Sequence, residues 1–456
     1  MCVFSVYNGL VDSPINWPIS VKGRMKMKKK KAILSAVVFT LTAMLSACSC
    51  AGSGNIDATQ PSTVASTNST VATTSVATTS EATTVKPTQE TTQPATETQT
   101  TEQETKAEQS SQTSQSSTNE KKNFGSIDEM IENMSVEEKV GQMFYVRCPS
   151  SNAVEYVSKY HLGGYILFGV DFEGKSKSEV ISDIQSYQDA AEIPLLIGVD
   201  EEGGSVTRVS DNPQLRSTPF LSPRNVFAEG GWAAIDADAK EKAELLLSLG
   251  INVNMAPVCD ITSDTDSFMY YRSFSADANE QCEFVRRTVA ISQNKGLGTV
   301  LKHFPGYGDN EDTHTGIAYD NRDYSEFVEK DFKPFKTGVN SGADCVLVSH
   351  NIVSCMDSEY PASLSEKVHS ILREELAFDG VVMTDDLYMD AIRDYTGSES
   401  AAVFAAKCGN DILCCTDVEQ QYPAVVNAVK NGEIPIEQIN KSVNRILKWK
   451  QELGIL

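Results

Sequence analysis

The chain has 456 residues, 40% of them hydrophobic, which allows two or three average domains or one large barrel with extra segments. Its 62 Asp and Glu residues against 39 Lys and Arg residues give a net charge of −23. This acidic excess argues against nucleic acid as a partner, because binding to phosphate backbones needs clustered cations. A multi-span membrane protein is excluded as well, since the sequence contains only one apolar run long enough to meet a membrane.

That apolar run, residues 32–45, predicts an export signal. Lysines precede it, and its 14 residues suit a signal-peptide core better than a membrane span. It ends in Leu45-Ser46-Ala47-Cys48, which resembles the lipobox of bacterial lipoproteins and implies acylation of Cys48. We therefore expect a lipoprotein signal peptide over 25–48, a true start at Met25 or Met27 rather than Met1, and an extracytoplasmic protein anchored in the bacterial cell membrane. A plain membrane anchor is the alternative.

A linker is predicted between this signal and the folded part of the chain. Residues 51–120 contain 20 Thr and 11 Ser, no aromatic residue and no hydrophobic periodicity. Such a segment buries too little apolar surface to offset the entropy lost on ordering. We expect 49–123 to be disordered and to hold a catalytic domain, residues 124–456, off the cell surface.

From residue 124 onward, short β-branched runs alternate with stretches of helical periodicity, which predicts α/β architecture. Eight β/α units in about 330 residues favour a single (β/α)8 barrel of the TIM type. A doubly wound sheet is the alternative, because eight strands alone do not demonstrate closure. The predicted strands are 143–147, 163–168, 194–200, 252–260, 299–306, 345–352, 381–386 and 411–415.

Polar residues recur at the carboxyl ends of these predicted strands, where a buried strand should be nearly all apolar. Active sites of β/α barrels lie at that end, so the pattern predicts an active site there. The residues concerned are Asp200, Asp260, Lys302, His303, Ser349, His350, Asp385 and Asp386.

The loop after the fifth predicted strand carries Asp312 and His314 at a spacing of two. An Asp so placed can accept the Nδ1–H of the imidazole, fix its tautomer and raise its basicity. The histidine could then protonate a leaving group and later deprotonate water. Metal binding by the acidic residues and histidines of this loop is the competing use, but the spacings of calcium loops and zinc helices are absent. We expect no metal.

Asp385 ends the apolar run 381–384 and would face the barrel mouth. A carboxylate there can attack an anomeric carbon and form a glycosyl-enzyme. The alternative is a helix N-cap. In the segment 200–208, a Gly-Gly pair permits close backbone approach, and Asp200 and Arg208 could converge on sugar hydroxyls. Arg272 follows the fourth strand, where a surface salt bridge is the alternative.

Taken together, these stretches resemble the bacterial β-N-acetylglucosaminidases of glycoside hydrolase family 3. The resemblance covers residues 124–456, and its motifs stand in the family's order at 136–143, 163–168, 200–208, 250–258, 272–274, 302–314 and 384–387.

The resemblance implies a retaining exo-β-N-acetylglucosaminidase that works without a cofactor. It implies Asp385 as the nucleophile, His314 as the general acid/base and Asp312 as its orienting partner. The implied substrates are terminal N-acetylglucosamine residues of muropeptides or chitin-type oligosaccharides, and we expect the enzyme to be a monomer. The residues implied in binding that sugar are Asp200, Arg208, Arg272, Lys302 and His303.

Two departures from the family pattern stand out. Tyr307 occupies the middle of a segment that is usually Gly-His-Gly, which leaves the support of the loop open, and Ser205 replaces a usual Arg. The alternatives are a phosphorylase or a β-glucosidase on the same scaffold, or a non-catalytic sugar-binding lipoprotein.

Overall fold

The computed structural model describes residues 125–310, 312, 313, 316–396 and 400–456. The predicted signal peptide with Cys48, the predicted linker and His314 lie outside the described residues. None of the described helices is both long enough and apolar enough to cross a membrane.

Strands at the centre of the molecule are short and mostly buried. In chain order they are β1 (Phe144–Arg147), β2 (Gly164–Leu167), β3 (Leu196–Val199), β4 (Val253–Asn254), β5 (Gly298–Phe304), β6 (Tyr319–Asp320), β7 (Cys345–Val348), β8 (Ile352–Val353), β9 (Val381–Thr384) and β10 (Leu413–Cys415). Eight of them form one parallel sheet in the order β10-β1-β2-β3-β4-β5-β7-β9. The other two, β6 and β8, pair with each other.

The eight-stranded sheet closes on itself between β9 and β10. A parallel bridge joins Met383 to Ile412, and the Thr384 N–H donates to the Ile412 carbonyl at 3.1 Å. The Thr384 hydroxyl accepts a bond from the Cys414 N–H at 3.0 Å. Sequential strand order and closure together confirm the predicted (β/α)8 barrel and eliminate the doubly wound sheet.

Helices surround the barrel. They are α1 (Ile127–Asn133), α2 (Val136–Met143), α3 (Ala153–Tyr160), α4 (Lys177–Ala190), α5 (Pro223–Ser248), α6 (Ala278–Lys295), α7 (Tyr324–Glu326), α8 (Phe332–Asn340), α9 (Glu366–Ser370), α10 (Asp390–Thr396), α11 (Ala401–Lys407), α12 (Val418–Lys430) and α13 (Ile436–Glu452). Capping boxes start α1, α2 and α4, where a serine hydroxyl accepts a backbone N–H and a glutamate three residues on binds back. Gly230 and Gly231 interrupt α5 with non-helical backbone angles, so it consists of two helical segments.

Strand lengths differ from the predicted runs where proline or a turn intervenes. The fourth run is predicted over 252–260, but β4 has two residues, because the Ala256 N–H turns back to the Asn254 carbonyl and Pro257 has no N–H to donate. Likewise, β5 stops at Phe304, directly before Pro305. The sixth run, 345–352, divides into β7 and the start of β8. These changes leave the carboxyl ends of β3, β5 and β9 at the positions where polar residues cluster.

Candidate active site

The carboxyl end of the barrel brings several predicted site residues to one face. Asp200 directly follows β3, and Asp385 directly follows β9. Lys302 and His303 lie in the last part of β5. Because catalytic residues of β/α barrels come from this end of the strands, this face is the candidate active site.

Lys302 is the centre of a buried cluster of charges. Its Nζ lies 2.5 Å from Asp200 Oδ1 and 2.7 Å from Glu202 Oε1. Burial disfavours the charged ammonium, but these two carboxylates outweigh it and raise the pKa of Lys302. The Lys302 and Glu202 side chains are 3% and 2% exposed, against 18% for Asp200. Lys302 is therefore a fixed cation, and Asp200 is the carboxylate of this pair most open to a ligand.

Arg272 joins the cluster from the loop between β4 and α6. Its Nε and Nη2 donate to the two carboxylate oxygens of Glu202 at 2.9 and 2.7 Å, a bidentate pair. Burial tends to raise the pKa of Glu202, but Arg272 and Lys302 hold it far below its usual range. Both cations are therefore matched by carboxylates within the cluster.

The neighbours of His303 determine its tautomer. Arg272 Nη2 lies 3.1 Å from His303 Nε2, and a guanidinium has donors only, so Nε2 accepts. The Nδ1–H then donates to Asp260 Oδ2 at 2.8 Å, and the backbone N–H of His303 donates to the same oxygen at 3.0 Å. Burial tends to raise the pKa of Asp260, but its contacts with His303 and Tyr307 lower it. His303 is thus held as a fixed hydrogen-bonding group.

Glu201 organises the loop after β3. It is fully buried, and its Oε2 accepts the N–H groups of Arg208 and Val209 at 3.0 and 2.7 Å. The Arg208 guanidinium lies 5.9 Å from the ring centroid of Phe168. Within the described ranges Arg208 forms no ion pair with Asp200, and its buried Nε has no hydrogen-bond partner. Arg208 therefore lies beside the cluster without joining it directly.

Asp385 and Asp386 have different partners. The Asp385 N–H donates to the Val348 carbonyl at 3.1 Å, and its Oδ1 accepts the Asp386 N–H at 2.9 Å. Asp386 turns to the loop after β10, where its Oδ1 accepts the Thr416 N–H at 3.2 Å. Burial raises the pKa of Asp386. Asp386 therefore joins the end of β9 to the loop after β10, whereas Asp385 accepts a bond within its own turn.

His350 supports this turn. Its Nε2 lies 3.0 Å from the Asp386 carbonyl, which can only accept, so Nε2 carries the proton. Its Nδ1 then accepts the Ser363 hydroxyl at 2.8 Å. His350 therefore fixes the backbone that presents Asp385.

Tyr307 ties the loop after β5 to the charged cluster. Its N–H donates to Asp260 Oδ1 at 2.7 Å, and its hydroxyl lies 2.5 Å from Thr313 Oγ1. Asp312, the residue before Thr313, is half-buried. Because His314 lies outside the described residues, its pairing with Asp312 stays a prediction.

Glu202 was not among the predicted site residues, and Asp260 was predicted only as a strand-end residue without a role, yet they hold the two cations and His303 in place. A signal existed for both, since each lies at or just beyond the carboxyl end of a predicted strand. No sequence pattern indicates, however, that Glu202 faces the cations whereas its neighbour Glu201 binds loop amides. Local backbone direction decides that.

Three side chains whose atoms are close enough to share a metal ion lie at the other end of the barrel. Among the residues that the structure describes, the one group of three close enough to share an ion is Glu138, His161 and Glu192. These residues belong to segments that precede β1, β2 and β3, at the amino ends of the strands. The carboxyl end offers carboxylates paired with Lys and Arg, which suit hydrogen bonding to hydroxyl groups.

Comparison with known proteins gives consistent matches. The model of the glycosyl hydrolase family 3 N-terminal domain matches residues 135–449. A β-hexosaminidase of Nitrosomonas eutropha is 32% identical over 270 residues, covering 56% of this chain and 74% of that protein. β-Hexosaminidase A of Pseudoalteromonas piscicida is 29% identical over 329 residues, covering 66% of this chain but only 55% of that protein.

Solved structures agree with these matches. A glycoside hydrolase family 3 β-N-acetylglucosaminidase from Paenibacillus sp. FPU-7 superposes with a TM-score of 0.66 at 30% identity, covering 71% of this chain and 63% of that one. The family match extends over more than half of the chain. The chain therefore belongs to glycoside hydrolase family 3.

Proposed function

We propose that this protein is a retaining exo-β-N-acetylglucosaminidase that hydrolyses terminal β-linked N-acetylglucosamine. The observation that carries the proposal is the position of Asp385 at the end of β9, on the barrel face that also holds the buried Lys302 cluster. The names of the relatives support the choice of sugar, since they are β-hexosaminidases and a β-N-acetylglucosaminidase.

The charge balance of the cluster favours a neutral, hydroxyl-rich ligand. Lys302 and Arg272 are each paired with carboxylates, so neither of these two cations is left unpaired for an anion. Asp200 can accept hydrogen bonds from sugar hydroxyls, and the ammonium and guanidinium can donate them. We assign Asp200, Arg208, Arg272, Lys302 and His303 to binding the terminal sugar.

The proposed reaction is a double displacement. The Asp385 carboxylate attacks the anomeric carbon while His314 protonates the departing glycosidic oxygen, which gives a covalent glycosyl-enzyme. Asp312 accepts the other N–H of the imidazole. Water then attacks the anomeric carbon as His314 removes its proton, and Asp385 departs. Two inversions give net retention, and the two side chains return to their starting protonation states.

The biological setting of this proposal rests on the N-terminal sequence. The lipobox-like segment ending at Cys48 supports anchoring of the protein on the outer side of a bacterial membrane. There, muropeptides and chitin-type oligosaccharides are sources of terminal N-acetylglucosamine. We propose these as the substrates.

The test is hydrolysis of aryl β-N-acetylglucosaminide and aryl β-glucoside, each with and without phosphate. We expect preference for the first, release of free sugar in the β-configuration, and a loss of roughly 1000-fold or more in kcat/KM for Asp385→Ala. Asp390→Ala, at an exposed position on α10, is the matched control.

Three results would contradict the proposal. Activity of Asp385→Ala within a few-fold of wild type would exclude Asp385 as the nucleophile. Preference for the aryl β-glucoside would make the protein a β-glucosidase instead. Release of sugar-1-phosphate only when phosphate is present would identify it as a phosphorylase.

A further inference from the structure

Tyr307 stands where the sugar-binding cluster meets the loop that carries Asp312. Its backbone N–H binds Asp260 Oδ1 at 2.7 Å, and its ring packs edge-on against His303, with centroids 5.3 Å apart. Phe268 packs against the ring at 5.2 Å. The tyrosine is 2% exposed. Its backbone is therefore held by the carboxylate that also holds His303, and its ring packs against His303 itself.

The Tyr307 hydroxyl reaches across the loop to Thr313. The two hydroxyl oxygens lie 2.5 Å apart, and Thr313 is fully buried. Within this span, the Asn310 N–H donates to the Tyr307 carbonyl at 3.0 Å. The contact therefore fixes the far end of the loop, one residue after Asp312 and one residue before His314 in the chain.

The phenol itself is unsuited to proton transfer. Burial, and next the charge of Asp385, raise the pKa of Tyr307 well above its ordinary value. It therefore remains protonated wherever a glycosidase works, and its burial keeps it from a ligand. It can, however, hold the loop in position through the contact of its hydroxyl with Thr313.

We propose that Tyr307 is a positioning residue of the loop that carries Asp312, and that its hydrogen bond to Thr313 holds Asp312, the expected partner of the acid/base, in place relative to the sugar-binding cluster. The inference rests on the proposed function, since it needs an acid/base on this loop. It also answers the departure from the Gly-His-Gly pattern, because here the tyrosine provides the support of the loop.

Leaving-group dependence separates positioning from mere packing. A general acid matters most for poor leaving groups, and displacements near 1 Å can cost about 100-fold in rate. The test compares dinitrophenyl β-N-acetylglucosaminide, which needs little acid assistance, with N,N′-diacetylchitobiose, which needs much. The variants are Tyr307→Phe, which keeps the ring, Thr313→Val, which removes the partner, and their double variant.

We expect Tyr307→Phe to lower kcat for chitobiose about 10- to 100-fold and kcat for the dinitrophenyl substrate less than threefold, with KM and thermal midpoint nearly unchanged. Thr313→Val should reproduce this result, and the double variant should be no worse than the poorer single variant, because all three remove one bond. Tyr319→Phe, at a 57% exposed tyrosine of β6, is the matched control. His314→Ala sets the largest loss that acid failure can cause.

Equal losses on both substrates with a lower thermal midpoint would reduce Tyr307 to a packing role and overturn the proposal. Unchanged rates in both single variants would overturn it too, as would multiplicative losses in the double variant. Failure of the proposed function shows separately, as a wild-type protein without N-acetylglucosaminidase activity or as an active Asp385→Ala, and it would remove this inference as well.

Discussion

Two buried lysines at opposite ends of the barrel have pKa values that are shifted in opposite directions. Lys302, at the carboxyl end, lies against two carboxylates, and its pKa is raised although burial opposes its charge. Lys450, on α13, is fully buried and donates to the amide Oε1 of Gln142 at 2.7 Å. Burial lowers the pKa of Lys450 to about 7. Burial weakens both charges, so the neighbouring carboxylates decide which lysine keeps its proton.

The difference distinguishes the carboxyl end of the barrel, which carries the proposed active site, from the amino end, where Lys450 has a structural role. Gln142 lies just before β1 and also donates to the His161 carbonyl at 3.0 Å, so Lys450 connects α13 to the segments that enter β1 and β2. A neutral amine suffices for that contact. At the carboxyl end, Asp200 and Glu202 keep Lys302 charged, which the proposed sugar-binding site requires.

Among these substitutions, Lys302→Met should have the largest effect on stability and activity. A small effect would contradict the contrast drawn between Lys302 and Lys450. The change leaves Asp200 and Glu202 without the ammonium between them, and loss of one partner of a buried ion pair costs about 3–5 kcal/mol. We expect the unfolding free energy in urea to fall by that amount and kcat/KM on aryl β-N-acetylglucosaminide to fall at least about 100-fold. A variant within 1 kcal/mol and tenfold of wild type would mean that the cluster contributes little to either.

Lys450→Met tests the amino end through its pH dependence. The folded pKa of about 7 lies below the unfolded value near 10.4, so stability present at high pH is lost as the pH falls towards 7. From pH 7 to 9, wild-type unfolding free energy should rise by about 2 kcal/mol relative to Lys450→Met. Catalytic activity should stay near wild type.

The control for this pH series is Lys448→Met, at an exposed position on the same helix. It should follow the wild-type curve. If the unfolding free energies of wild type and Lys450→Met had the same pH dependence, the buried ammonium would be stabilised by the folded protein, and its pKa would not be lowered.

Asp331 sharpens the comparison, because it is a buried carboxylate with a single cationic partner. Arg322 Nη1 donates to its Oδ2 at 3.0 Å, and among the described residues Oδ1 has no partner. Burial raises the pKa of Asp331 to about 6 despite Arg322. Stability from this group is present at low pH and is lost as the pH rises through 6. Relative to Asp331→Asn, wild type should lose about 1.5 kcal/mol between pH 4.5 and 6.5 in thermal or urea unfolding.

Asp323→Asn, at an exposed acidic position nearby, serves as its control and should track the wild-type curve. If Asp331→Asn and wild type showed the same pH dependence, one arginine would be enough to offset burial. The contrast between the two lysines would then depend on more than the number of opposite charges.

Sequence reasoning reached the barrel and much of the candidate site because both leave periodic traces. Eight apolar runs predict eight strands, and charges at their carboxyl ends mark Asp200, Lys302, His303 and Asp385. The rule that parallel strands end at one face then brings distant residues together. Lys302 and Asp200, for example, are 102 positions apart in the chain and in direct contact.

The pairing inside the site was beyond sequence reasoning because it depends on side-chain direction. Glu201 and Glu202 are adjacent and identical in type, yet one binds loop amides and the other binds Arg272 and Lys302. The Arg208 guanidinium lies over the Phe168 ring, so its predicted convergence with Asp200 on sugar hydroxyls stays a prediction. The loop after β3 sets these directions through backbone hydrogen bonds that no residue pattern encodes.

The closure of the sheet between β9 and β10 limits where this barrel can be recombined with the barrels of its relatives. Asp385 is carried by the strand that meets the last β/α unit, and Thr384 and Asp386 both bond to residues of that unit. In a chimera whose crossover separates β9 from β10, surfaces from two different parents would have to fit together beside Asp385, the proposed nucleophile. Crossovers on the opposite side of the barrel, between β3 and β4, would leave that contact intact.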